Sequence, residues 1–332
     1  MLANFGQLTR TLMALGPVNR TVSSLLTRCL SSSSRSSIDL TGIYPPITTP
    51  FHENEDINWG KLESNLEIWG RMPFRGFVVQ GSNGEYVYLT RDERIQMVDK
   101  VRRKVSDKQL IIAGSGCEST RETITMSEKM AEAGADAVLV CTPCFYKGKM
   151  NHTSLIKHYK MVADKSPVPV ILYSVPANTG IDLAPEVILS LCKHPNIIGL
   201  KDSGGDISKI GYLCYRTKDE DFQILAGSAS FLLPSYELGC VGGVCALANV
   251  LGEQVCQLHT LYHKGDIEAA VKLQHRLIAP NTAVTRSFGV PGLKTAMEWY
   301  GLYGGPTRRP LTPITEDEIN QLKSIFRQNK FL

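Results

Sequence analysis

The chain has 332 residues, 43% of them hydrophobic, enough to bury a large core, and no apolar run approaches the 18 or more residues that a membrane-spanning helix needs. The formal charge of +4 is unevenly distributed: four of the 36 basic residues (Arg10, Arg20, Arg28, Arg35) lie in residues 1–38, which hold no acid, and the remaining 32 are matched by 32 acidic residues. The neutral body argues against a polyanion, so neither nucleic acid nor a membrane is expected as a partner.

Taken in chain order, residues 1–38 come first. They are serine-rich and acid-free, with Leu2, Phe5, Leu8, Leu12 and Leu15 at near-helical spacing. That composition predicts a mitochondrial transit segment, disordered and cleaved, which directs the rest to the matrix. From residue 39 short apolar runs alternate with amphipathic segments. Strands are predicted at 42–49, 75–80, 109–114, 136–141, 168–173, 197–201, 222–227 and 242–247. Helix starts are marked between them by Thr90 with Glu93 and by Ser119 with Glu122, both read as capping boxes, the second helix closing at Gly134. Eight strand–helix repeats predict an α/β fold, a (β/α)8 TIM barrel over residues 39–265. Periodicity alone leaves a doubly wound open sheet as the alternative; the count of eight favours closure. Helical patterns at 252–264, 266–279, 284–300 and 315–328 supply the last barrel helix and then a C-terminal helical extension over residues 266–332.

Nine cysteines without a disulfide rhythm fit a reducing compartment. "CTPC" (Cys141 to Cys144) has no second pair at zinc spacing. "HTLYH" (His259, His263) lacks an intervening Glu and a third ligand, so a solvated helix face is expected rather than a metal site.

In a barrel of this kind chemistry gathers where the strands end. Those ends are polar: Thr48 and Thr49 in "TTPF", Gly81 to Glu85 in "GSNGE", then Tyr173, Lys201, Gly227 and Ser228. The run "IIGLKDSGGD" carries Lys201 to such an end. Burial penalises an ammonium and favours the neutral amine, which condenses with a ketone to a Schiff base. The competing reading is an ion pair with Asp202. Parallel neighbours lie about 4.8 Å apart, so Tyr173 and Lys201, one strand apart, can converge. Tyr173 offers a phenol for proton transfer if another hydroxyl, such as that of Ser82, supports it; otherwise it is a rim tyrosine. "GSNGE" suits a carboxylate cradle, or else is an ordinary turn.

Together "GSNGE", "LYSVPANTG" and "GLKDSGG", in that order and spacing, resemble the dihydrodipicolinate synthase and N-acetylneuraminate lyase superfamily of Schiff-base aldolases, over residues 40 to about 325. The resemblance implies that Lys201 forms the imine with C2 of a 2-oxo acid, that Tyr173 shuttles protons with Ser82, and that Ser82 and Asn83 hold the substrate carboxylate. Ser203 and Gly227 would line the pocket, with Thr49 among the substrate-binding residues. It also implies cleavage of 4-hydroxy-2-oxoglutarate to pyruvate and glyoxylate, no metal or organic cofactor, and a homotetramer built as a dimer of dimers. Two departures stand out. Asn178 occupies the place where bacterial synthases of the family carry a carboxylate-binding arginine, which disfavours that activity unless another residue, such as Arg286 or a lysine from the barrel loops, supplies the charge. Phe145 stands where members often place a relay tyrosine, leaving Tyr146 or water to complete the relay. Rival readings are a sialic acid or sugar-acid lyase, or a 2-oxo acid binding protein without turnover.

Overall fold

Eight parallel strands form one sheet: β1 (Gly42–Tyr44), β2 (Gly76–Val79), β3 (Leu110–Gly114), β4 (Ala137–Cys141), β5 (Val170–Ser174), β6 (Ile197–Asp202), β7 (Gln223–Ala226) and β8 (Gly242–Val244). The computed structural model describes residues 38–332, so the leader predicted from the composition of residues 1–38 lies, apart from its last residue, outside the described residues. The sheet order runs β1-β8-β7-β6-β5-β4-β3-β2. Its two edges are joined by backbone bonds from Arg75 N to Ile43 O (3.0 Å), Val78 N to Pro45 O (3.0 Å) and Ile47 N to Val78 O (3.0 Å). The sheet is therefore a barrel and not the open alternative.

The strand expected over 42–49 stops at Tyr44, because Pro45 and Pro46 have no N–H to give a ladder; only a bridge between Pro46 and Val78 continues it. The eighth run likewise ends at Val244, where the chain curls into a short 3₁₀ turn over Ala246–Asn249.

A helix follows each strand: α1 (Trp59–Trp69), α2 (Arg91–Lys104), α3 (Thr120–Glu132), α4 (His152–Lys165), α5 (Pro185–Leu191), α6 (Ile207–Arg216), α7 (Leu232–Glu237) and α8 (Gly252–His263). The capping box at Thr90 and Glu93 forms in full. At α3 only half of it forms: Ser119 accepts from Glu122 N, but the Glu122 carboxylate turns away to pair with Arg91. A two-hydrogen-bond guanidinium contact outcompetes one backbone N–H.

Strands covered on both faces read as continuous apolar runs, and β5 is buried along its whole length. Residues 39–332 make one compact unit. Within it α9 (Ile267–Thr282), a π-helical turn over Ala283–Ser287, α10 (Gly289–Glu298) and α11 (Glu316–Gln328) follow the barrel helices. α11 buries Leu322 and Phe326, the latter edge-on to Trp299 at 5.8 Å.

Candidate active site

Alternation along β4, β5 and β6 sets which side chains face each other. Cys141 is the register partner of Tyr173, and Tyr173 of Lys201. Residues paired in register share a face of the sheet, and the next residue along each strand points to the other face. Lys201 and Tyr173 accordingly meet at the barrel mouth, where the Lys201 ammonium lies 4.0 Å from the Tyr173 ring centre. Lys201 is 3% exposed, and its side-chain nitrogen makes no hydrogen bond or ion pair with any other described residue. Asp202 faces the opposite way, fully buried, with Lys209 at 3.0 Å and the Gly204 N–H at 2.8 Å. The Lys201–Asp202 pair is thus not formed, because consecutive residues of a strand cannot share a face.

The mouth encloses a cavity of about 280 Å³. Ser82, Asn83, Tyr173, Lys201, Ser203 and Gly227 all line it, so these six residues singled out in the sequence converge, and three more named there, Asn178, Ser228 and Arg286, join them. The Ser82 and Tyr173 hydroxyls are 3.3 Å apart, the contact that a proton exchange between them requires. Gly227 is required by its surroundings. A Cβ there would stand 2.1 Å from Ser203 Oγ and 2.5 Å from Asp202 O, while its N–H donates to Asp202 O at 2.7 Å.

Thr49 differs from expectation. It is fully buried, does not line the cavity, and donates to Gly84 O at 2.7 Å. Its hydroxyl holds the "GSNGE" loop from behind instead of facing the cavity. The same loop is fixed at its other end by Glu85, whose carboxylate sits 2.6 Å from the Lys294 ammonium and accepts from Arg308 N at 2.9 Å. Both partners of that pair are buried, and desolvation pushes the Glu85 carboxyl up and the Lys294 ammonium down. The loop that carries Ser82 and Asn83 is therefore anchored to α10.

Tyr146 does not enter the site of its own chain. Tyr146 and Phe145 are 73% and 77% exposed, their rings packed edge-on at 5.0 Å, and neither lines the cavity. The turn that carries them is held out by Glu118, which accepts from Cys144 N (3.0 Å) and Phe145 N (2.9 Å). Beneath Tyr173 lies a different phenol. Tyr86 and Tyr173 border one small cavity of about 10 Å³ together with Gln80 and Cys141, and the Tyr86 hydroxyl is 3.2 Å from Cys141 Sγ. Burial pushes the Tyr86 phenol up.

Asn178, in the single helical turn Pro176–Thr179, and Arg286, in the π-helical turn, both line the main cavity, as does Ser228. Tyr86 carried no signal in the sequence, since the residue after "GSNGE" could point anywhere. The two histidines divide: His263 is exposed as expected, but His259 is half-buried, bonded through Nδ1 to the Tyr236 hydroxyl at 2.8 Å. Among the described residues no cluster of three or more His, Cys, Asp or Glu side chains is placed to hold a metal ion, and no helix is long and apolar enough to cross a membrane.

Comparison with known proteins matches residues 39–329 to the dihydrodipicolinate synthetase family. The chain is 32% identical over 287 residues to a 4-hydroxy-tetrahydrodipicolinate synthase of Methanoculleus marisnigri, covering 86% of this chain and 98% of the relative. It is 34% identical over 293 residues to a probable mitochondrial 4-hydroxy-2-oxoglutarate aldolase of Emericella nidulans, covering 87% and 94%. Among solved structures, dihydrodipicolinate synthase DapA-2 of Bacillus anthracis superposes with a TM-score of 0.83 at 29% identity, covering 87% of this chain and 98% of that one. The Acinetobacter baumannii dihydrodipicolinate synthase complexed with pyruvate superposes with a TM-score of 0.83 at 27% identity, covering 89% and 100%.

Proposed function

The chain belongs to the dihydrodipicolinate synthetase family, whose members make or break carbon–carbon bonds, and from that premise we propose that it is a Schiff-base aldolase splitting 4-hydroxy-2-oxoglutarate into pyruvate and glyoxylate. The observation that carries the reading is the buried Lys201, without an ion-pair partner among the described residues, against a Tyr173 whose hydroxyl meets that of Ser82.

The Lys201 amine adds to the C2 carbonyl, and loss of water leaves an iminium. Tyr173, relayed by Ser82, moves the protons of these steps. Ser82 and Asn83 hold the C1 carboxylate, and Ser203 and Gly227 border the carbonyl. Loss of the C4 hydroxyl proton then breaks C3–C4. Glyoxylate leaves, the electron pair passes into the iminium to give an enamine, and protonation at C3 followed by hydrolysis returns Lys201 and pyruvate. The iminium serves as the electron sink, so the proposal includes no metal or organic cofactor.

The resemblance brings a second reading, the synthase reaction in which pyruvate condenses with aspartate semialdehyde. Asn178 is a neutral amide where bacterial synthases of the family carry a guanidinium, but Arg286 lines the same cavity, so the charge enters from a different turn and Asn178 alone does not separate the two substrates. The likeness to a probable mitochondrial 4-hydroxy-2-oxoglutarate aldolase supports the cleavage reading. The acid-free, arginine-bearing residues 1–38 support import into the mitochondrial matrix, and the family resemblance supports a homotetramer.

Trapping with pyruvate and borohydride tests the site: one reduced adduct on Lys201 is expected and none in Lys201→Arg, whereas an adduct elsewhere with the variant still active overturns it. Comparing kcat/KM for 4-hydroxy-2-oxoglutarate cleavage, with chelator present, against aspartate semialdehyde condensation tests the substrate. A faster condensation makes the enzyme a synthase.

A further inference from the structure

Lys201 and Arg286 are the two charged residues among the described lining of the main cavity, and no acid joins them. They come from different parts of the chain, one from the end of β6 and the other from the π-helical turn between α9 and α10. The Arg286 guanidinium makes no hydrogen bond or ion pair with another described residue, in contrast to those of Arg308 and Arg309 further along, which are held by Glu93 and Glu55. Its guanidinium leans over the turn after Lys201: Nη2 is 3.7 Å from where a Cβ on Gly205 would stand, and Gly205 itself has φ +83°. The turn is tied to the pocket wall. Thr285 Oγ1 donates to Asn281 O at 2.6 Å, and Asn281 Nδ2 donates at 2.8 Å to Ser228 Oγ, which also lines the cavity. A widened helical turn of this sort commonly re-aims side chains at functional sites.

A cavity with an imine-forming lysine on its floor, neutral donors on one wall, a lone guanidinium at its rim and no acid suits a dianion. We propose that Arg286 receives the second carboxylate of a 2-oxo diacid, the one remote from the carbonyl that Lys201 attacks, and so sets the preference for diacids. The inference rests on the Schiff-base reading above and deepens it. With the first carboxylate against Ser82 and Asn83, a five-carbon diacid is held at both ends and its carbonyl is delivered to Lys201. The same contact keeps the leaving fragment, which carries that second carboxylate, oriented while C3–C4 breaks. A guanidinium does this better than an ammonium because its planar fork matches both carboxylate oxygens.

The test uses the full chain and does not need turnover. Lys201 is titrated by borohydride trapping with 2-oxoglutarate and with 2-oxopentanoate, acids of equal length that differ in a terminal carboxylate against a methyl group. The wild-type protein is expected to trap 2-oxoglutarate at about tenfold lower concentration or less, Arg286→Gln to lose that preference, and Arg286→Lys to keep part of it. Arg286 is exposed, so thermal melts of both variants should match the wild type. A preference that survives Arg286→Gln, or an equal loss of both adducts, overturns the assignment while the aldolase reading stands. If pyruvate itself gives no adduct on Lys201, the Schiff-base reading fails and this inference fails with it; an adduct with pyruvate but with neither longer acid overturns the assignment of Arg286 alone.

Discussion

The carboxylate of Asp202 stands 3.0 Å from the ammonium of Lys209, on the face of β6 away from Lys201. Lys209 also reaches Asp182 at 2.5 Å, so the Asp202 carboxylate, which has no contact with solvent, is held by a shared ammonium and by the Gly204 N–H. The arrangement leaves the ammonium or amine of Lys201 without a competing anion. Lys209→Met strands a buried charge, and the expected cost is about 3–5 kcal/mol of unfolding free energy in urea denaturation, with part recovered in the double variant carrying Asp202→Asn. A loss below about 1 kcal/mol would mean that the pair contributes nothing.

Tyr173→Phe keeps the ring over which Lys201 sits and removes the hydroxyl bonded to Ser82. Turnover is expected to fall by about 10² to 10⁴, the usual range for a positioned proton-transfer group, and borohydride trapping of pyruvate by less. Turnover close to that of the wild type would reduce Tyr173 to a wall of the pocket.

Thr49→Val preserves shape and deletes the hydrogen bond to Gly84 O that holds the "GSNGE" loop. Since Thr49 does not line the cavity, the expected change is a loss of about 5- to 30-fold in kcat/KM with trapping on Lys201 retained, the size of one buried hydrogen bond. Abolished trapping would indicate that Thr49 touches the reacting groups after all.

Burial pushes the imidazole of His158 down from 6.5 to about 4, with Nδ1 bonded to the Thr120 hydroxyl at 2.9 Å. The folded state holds the ring neutral where the unfolded chain would protonate it. Its contribution to stability is therefore complete above pH 6.5 and is lost as pH falls towards 4. His259 shifts the same way but is only half-buried, so solvent screens it. Between pH 7 and pH 5 the unfolding free energy should drop by about 1–2 kcal/mol more in the wild type than in His158→Gln, as read from urea midpoints; equal slopes would show that the ring is already solvated.

Much of the barrel is legible locally. The eight apolar runs, their spacing and the capping pair Thr90 and Glu93 act over a few residues, and the structure keeps them within a residue or two at β2 to β7. The truncation of β1 was also present in the sequence, since Pro45 and Pro46 cannot donate to a ladder. Of the proposed site, Lys201, Tyr173, Ser82, Asn83 and Gly227 were readable because each sits where an apolar run gives way to polar residues, whereas Ser203 came from the family resemblance alone.

The amino-acid sequence by itself determined where β2 to β7 end, to within a residue or two, because apolar periodicity and backbone chemistry depend on near neighbours alone. It left undecided which partner each side chain would meet. Asp202 chose Lys209, Thr49 chose Gly84, Tyr86 chose Cys141 and Arg286 came to the pocket from a turn 85 residues beyond Lys201. Only closure of the barrel decided these, since the burial, the missing counter-charge and the shared cavity belong to the space between segments that no local pattern records.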